Sequence, residues 1–274
     1  MLFSYGKSMK STAVKYFTFQ VNASAILFFI VLIKPYSTDH IEAFFSVLIL
    51  AKLGIAPSHV WFTSVLSSLD WAAFLWVSIP QKLIPLFILS LTLEISWFLT
   101  ILLISVLVST LHAMSQLKIK KVLAASSVFS LNWISIAMIT STSGWVLFFT
   151  LYRATTLVVV VSYLYHSGLT WSSNSYAGLI VTLAIIALAG VPPRPLFFIK
   201  IDLFVSRVQQ NLLTVSSVAM LASLVILYIY INTVLQVMLV SPSTKPLSQV
   251  ANTGQYYYML MAILFASLLM LIVN

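Results

Sequence analysis

One apolar run of roughly twenty residues follows another along this chain, from Val14 to its last residue, and that repetition decides the fold class. A bilayer core of roughly 30 Å is crossed by about 20 apolar residues in a helix. A membrane barrel would instead read as strands of about ten residues with alternating hydrophobicity. Of the 274 residues, 61% are hydrophobic and only 7% are charged, far from the composition of a water-soluble domain. The expected fold is an all-α integral membrane protein.

Short polar or Pro/Gly-containing breaks divide the apolar sequence into about nine predicted transmembrane helices, near 12–33, 40–66, 70–90, 92–114, 120–140, 143–166, 176–208, 212–239 and 254–273. The segments 40–66 and 176–208 are too long for one simple crossing, and each contains helix breakers, so both are expected to be discontinuous. The longest polar break is Ser241 to Gln255, and a single transmembrane domain over 1–274 is the expectation. An alternating nine-helix path puts Lys7, Lys10, Lys15, Lys118, Lys120, Lys121 and Lys245 on one side, with Lys34, Arg207, Asp39 and Glu42 on the other. The positive-inside rule then places the N-terminus inside and the C-terminus outside.

Several function classes are excluded early. With no cysteine, the chain offers neither a disulfide framework nor thiolate ligands for zinc or iron–sulfur clusters. No metal site and no cofactor site is expected. The net charge of +9 is scattered among loops and spans, which fits membrane orientation and not a nucleic-acid surface. The N-terminal twenty residues lack a small-residue cleavage site after a short apolar region, so no removable signal is predicted. No dinucleotide fingerprint, phosphate loop, HExxH or nucleophile triad is present.

What remains is charge inside the spans. Lys52 in LILAKLGIAPSHVW, Lys82 in VSIPQKLIPLF and Lys200 in GVPPRPLFFIKIDLF lie in apolar surroundings, where insertion scales charge roughly +2.5 to +3.5 kcal/mol for a central lysine. Snorkelling to a headgroup, or a salt bridge pinning two helices, would be structural explanations. All three, however, adjoin a helix breaker. Pro57 cannot donate to the carbonyl of Leu53, nor Pro85 to that of Gln81, while Pro192, Pro193 and Pro195 leave Leu188, Ala189 and Val191 unpaired. Together with Gly54 and Gly190, these prolines mark the expected breaks. Freed carbonyls in hydrocarbon are tolerated where the backbone is buried in protein or lines a wet cavity. A lysine beside such a cavity is a candidate proton carrier.

His59 follows Lys52 by seven residues across Pro57 and reads either as a relay or as a hydrogen-bonded packing residue. Trp61 and Trp71 read as an interfacial aromatic belt. Glu94 is expected to reach the interface, whereas Arg153 lies deeper and, being permanently charged, reads as a fixed or pairing group. Asp202, two residues from Lys200, faces another side of its helix. His112 and Gln116 precede the basic loop Lys118 to Lys121, either as a solvated helix end or as the lining of a route in from that face.

Four segments resemble a known family. Lys52-Leu53-Gly54-Ile55-Ala56-Pro57-Ser58-His59-Val60-Trp61 resembles the K-x-G-x-x-P-F-H-x-W segment of the antiporter-like (Mrp-type) membrane subunits of respiratory complex I. Gln81-Lys82-Leu83-Ile84-Pro85 is similar to W-Q-K-x-x-P of the subunit 2 branch of NADH dehydrogenase. Gly190-Val191-Pro192-Pro193 with Phe198 and Lys200 is similar to its G-x-P-P-x-x-G-F-x-x-K. Gln116 with Lys121 to Ser127 resembles Q-x-x-x-x-K-x-x-A-Y-S-S. The matches keep family order from position 51 to 200. Departures are Ser58 for Phe, Thr63 for Pro, Pro80 for Trp, Ala125 for Tyr and Leu196 for Gly.

The resemblance implies that Lys52, Lys82 and Lys200 are buried proton carriers, that the two broken helices belong to inverted repeats, and that NADH, FMN, iron–sulfur clusters and ubiquinone reside in partner subunits. It implies other membrane-arm and accessory subunits as partners, and a multi-pass place in the mitochondrial inner membrane with the N-terminus in the matrix and the C-terminus in the intermembrane space. Family members carry a membrane glutamate on an earlier helix that pairs with the first lysine. No residue here occupies that position, and the expectation is a shortened N-terminus. A non-pumping structural subunit and a free-standing cation/proton antiporter stay open as alternatives.

Overall fold

A computed structural model of the chain describes residues 7–33, 40–92, 95–116, 118–140, 144–166, 176–190, 195–209 and 213–239. The segment at 254–273, Pro192, Pro193, Asp39 and Glu94 lie outside these. All regular structure among the described residues is helical: α1 Lys7–Ile33, α2 His40–Leu53, α3 His59–Ser68, α4 Trp71–Ser78, α5 Pro80–Leu91, α6 Ile95–Met114, α7 Ile119–Thr140, α8 Gly144–His166, α9 Tyr176–Ala189, α10 Pro195–Gln209 and α11 Leu213–Leu239. Six spans within them are long and apolar enough to cross a membrane. The helix pairs α2/α3 and α9/α10 are each interrupted, after Leu53 and after Ala189, as the breakers at Gly54, Pro57 and Gly190 lead one to expect.

The third break does not fall where Pro85 predicts it. Helix α5 runs through Pro85, and the interruption of the span Trp71–Leu91 is at Ile79, immediately before Pro80. Pro80 disfavours helical geometry in the residue before it and has no N–H to continue the α4 ladder, yet its fixed φ suits the first position of α5. Pro85 only forfeits one bond, to the carbonyl of Gln81.

Helix α7 is the axis of the fold. Every side chain from Val122 to Met138 is buried, and α3, α6, α8, α10 and α11 all pack against it. Its sequence explains why neighbours come so close: Ala124, Ala125, Ser126, Ser127 and Ser130 are small, and the three serine hydroxyls donate back to Leu123, Ala124 and Ser127 carbonyls at 2.7–3.0 Å. Asn132, fully buried, ties α7 to α6: its Nδ2 donates to Ser109 Oγ at 3.0 Å and its Oδ1 accepts from Ser105 Oγ at 2.9 Å. At the periphery the pattern reverses. Phe17, Phe28 and Phe29 of α1, Ile84 and Leu91 of α5 and Leu221 and Leu224 of α11 are exposed, a lipid-facing apolar exterior around a hydroxyl-rich interior.

Candidate functional site: two interrupted helices and their buried cations

The first break is closed by backbone geometry that only glycine enters at low cost. Gly54 has φ +79°, its N–H donates to Ala51 O at 3.1 Å, and the N–H of Ile55 donates to Leu50 O at 3.0 Å. This crossed pair of bonds is a common left-handed helix C-terminus. A side chain is also excluded sterically, since a Cβ on Gly54 would lie 2.6 Å from Phe62 Cβ and 2.8 Å from its Cγ. Side chains add further bonds to the carbonyls at the break. Ala51 O accepts from Trp61 Nε1 at 3.2 Å, Lys52 O accepts from Gln20 Nε2 of α1 at 3.4 Å, and Ile55 O accepts from Ser58 Oγ at 3.0 Å. The Ala56–Pro57 peptide bond is cis. Trp61 is half-buried, bonded to the break and stacked on Phe19 at 4.3 Å between ring centroids. Trp71 stands at the end of its span, with the Lys120 ammonium 4.9 Å from its ring centre, and Lys120 also donates to Leu69 O.

The second break repeats the device. Gly190 ends α9 with φ +73° and donates to Ala187 O at 3.3 Å, and Pro195 opens α10, the residue type suited to a first helical position.

Lys52 stands in the last turn of α2 and is half-buried. Lys82 on α5 is 3% exposed, and its Nζ lies 3.8 Å above the centre of Phe62, the ring that fills the space beside Gly54. Lys200 on α10 is buried and reaches back toward the end of α9: a Cβ on Gly190 would be 3.4 Å from its Nζ. Phe129 and Trp133 of α7 face the same Nζ at 5.9 and 5.8 Å. A cavity of about 160 Å³, lined by Gly190, Lys200, Phe197, Ser223, Leu224 and other apolar side chains, opens beside it and has room for several waters. On its other side Lys200 borders a space of about 10 Å³ bounded by Ser126, Ser130, Tyr152 and Tyr230.

Arg153, which sequence places as a fixed charge, is 3% exposed, and none of its three guanidinium nitrogens has a hydrogen-bond partner among the described residues. It lies 5.1 and 5.2 Å from the Phe149 and Tyr152 ring centres, and its charge repels that of Lys82. The described carboxylate side chains, Asp70 and Asp202, are both exposed. Aromatic faces, at separations that favour a cation, stand against Lys82, Arg153 and Lys200. His59, the first residue of α3, is buried and meets His112 of α6 with ring centroids 4.6 Å apart and planes at 73°. Neither the charge of Arg153 acting on Lys82 nor the contact of the two histidines could be read from spacing, because each joins helices distant in sequence.

A bundle of long apolar helices, with two interrupted helices and buried cations near them, is a polytopic membrane protein. Residues 31–225 match the family described as NADH:quinone oxidoreductase/Mrp antiporter, transmembrane, and the chain belongs to it. The NADH-ubiquinone oxidoreductase chain 2 of Anopheles gambiae is 27% identical over 236 residues, 81% of this chain and 69% of that one. Among solved structures, a chain of the archaeal membrane-bound sulfane sulfur reductase superposes with TM-score 0.81 at 15% identity, covering 97% of this chain and 64% of that one. A chain of respiratory complex I from Thermus thermophilus gives 0.73 at 20% identity, covering 94% and 65%. The chain thus spans just under two thirds of the length of those two structures. The family resemblance carried by the four sequence segments is borne out.

Proposed function

We propose that this chain is a proton-translocating membrane-arm subunit of an NADH:ubiquinone oxidoreductase, with Lys52, Lys82 and Lys200 as the groups that take up and release protons. NADH oxidation and quinone reduction, with FMN and iron–sulfur clusters, belong in this reading to partner subunits. The chain lies in the mitochondrial inner membrane among other membrane-arm and accessory subunits, as a single domain of nine crossings including 254–273, N-terminus in the matrix. The two interrupted helices are the counterparts in a pair of inverted repeats. The observation that carries this is the repeated device: a glycine in left-handed geometry ends a half-helix, and a lysine stands at that end, once from before the break and once from after it. Half-helix ends of this kind are ion sites in membrane transporters.

Proton-to-electron ratio in sealed vesicles, native against Lys200→Met at matched assembly, tests the reading. Methionine keeps the volume and removes the charge. A lower ratio with NADH oxidation retained is the expected outcome; an unchanged ratio would remove Lys200 from the path. A second reading, a non-pumping structural subunit of the same complex, is favoured by one observation: no described carboxylate reaches the buried cations. The unchanged ratio is also what that reading requires.

A further inference from the structure

Resting on the pumping role proposed above, we propose that His112 and His59 form the inlet of the proton path, carrying protons from the polar end of α6 to the first helix break. His112 is three residues before Ser115 and four before Gln116, whose side-chain donors both bond to the His112 carbonyl, at 2.8 and 3.4 Å. Beyond them the exposed Lys118 and Lys121 mark water, and Lys121 is the charged group of α7 that acts on His112. The His112 ring is half-buried and meets the ring of His59 edge to face. His59 opens α3 one residue after Ser58, whose hydroxyl bonds to the break. The pair therefore spans from solvent-exposed helix end to the freed backbone beside Lys52.

Edge-to-face packing alone would be served as well by phenylalanine. What packing does not explain is an imidazole in this place: its ring interacts with the Pro57 backbone inside the break, while its buried Nδ1 makes no close hydrogen bond among the described residues. Imidazole accepts a proton on one nitrogen and gives up another from the second, at ordinary pH. In the transfer, one nitrogen of His112 binds a proton from water, its other nitrogen releases one to His59, and His59 releases one toward the break. Each ring keeps its proton count but ends as the other neutral tautomer, and it resets for the next proton by turning about χ2.

The test uses the intact complex in sealed vesicles and compares native protein, His112→Ala, His112→Phe and Lys200→Met for proton-to-electron ratio, with and without imidazole in the medium facing Lys118. Both His112 variants are expected to fall to the ratio of Lys200→Met. Imidazole is expected to restore His112→Ala, where it can occupy the vacated space, and to leave Lys200→Met unrestored. A His112→Phe variant that pumps as the native protein does overturns the inlet while leaving the pumping role intact. So does a His112→Ala deficit that imidazole fails to relieve. If Lys200→Met itself keeps the native ratio, the proposed function falls and the inlet with it.

Discussion

Replacing Gly54 by alanine separates what a helix break costs from what it does. At φ +79° an alanine pays about 1–2 kcal/mol for left-handed geometry. Its Cβ would lie 2.6 and 2.8 Å from Cβ and Cγ of Phe62, against an optimum of roughly 3.5–4.0 Å between carbons. Phe62 must retreat by about 1 Å within a fully packed interior, an overpacking cost of roughly 1–3 kcal/mol. The sum is about 2–5 kcal/mol, and the displaced ring is the one beneath Lys82. Gly190→Ala is the informative comparison. There the new Cβ meets only the mobile end of Lys200, at 3.4 Å, so the cost is the left-handed strain alone. Amounts of chain in the assembled complex, read on native gels, should fall steeply for Gly54→Ala and little for Gly190→Ala. Gly54→Ala should not be rescued by Phe62→Leu, because leucine keeps the offending Cβ. Normal assembly of Gly54→Ala, or rescue by Phe62→Leu, would show that the close approach of α3 to the break is not what glycine is there to permit.

Two further substitutions probe the interior. Asn132→Leu removes both bonds from α7 to α6 and should lower the thermal midpoint of the complex by an amount equivalent to about 1–2 kcal/mol; Asn132→Asp should lower it further, by adding a buried charge. Arg153→Met removes a guanidinium that no described residue pairs. A gain on the order of 1–4 kcal/mol, as found when buried ionic groups give way to apolar ones, should appear as a higher thermal midpoint, and a drop would mean that the assembled complex supplies Arg153 with a partner.

The architecture was legible because hydrocarbon leaves few options. Twenty-residue apolar runs fix helices, and Gly54 and Gly190 advertise left-handed helix ends. Pro85 misled because a proline is tolerated inside a helix whose freed carbonyl is one group, whereas Pro80 acts on the residue before it as well. Trp61 shows a different limit. Its position fits an interfacial belt, but its bond to the Ala51 carbonyl, ten residues back across the break, appears in three dimensions alone. The same applies to His59 with His112, and to Lys82 over Phe62. Side chains that meet across helices leave no period in the sequence.

The breaks also explain how Lys200 persists with no described carboxylate beside it. A helix C-terminus is worth up to about 2 kcal/mol to a nearby cation, and an aromatic face about 0.5–2 kcal/mol. Either alone falls short of the roughly 2.5–3.5 kcal/mol that a central lysine costs. Lys200 has both, the end of α9 at Gly190 and the rings of Phe129 and Trp133, and the combination roughly offsets the cost. A carboxylate at 4 Å would contribute about 4 kcal/mol at an intermediate dielectric, concentrated in one pair and lost only with it. Dipoles and rings hold the ammonium more weakly and keep no matching charge of their own. That arrangement suits the proton carrier proposed above, and it accounts for the order reversal between Lys52 and Lys200: what the two share is the end of a half-helix, not a place in the sequence.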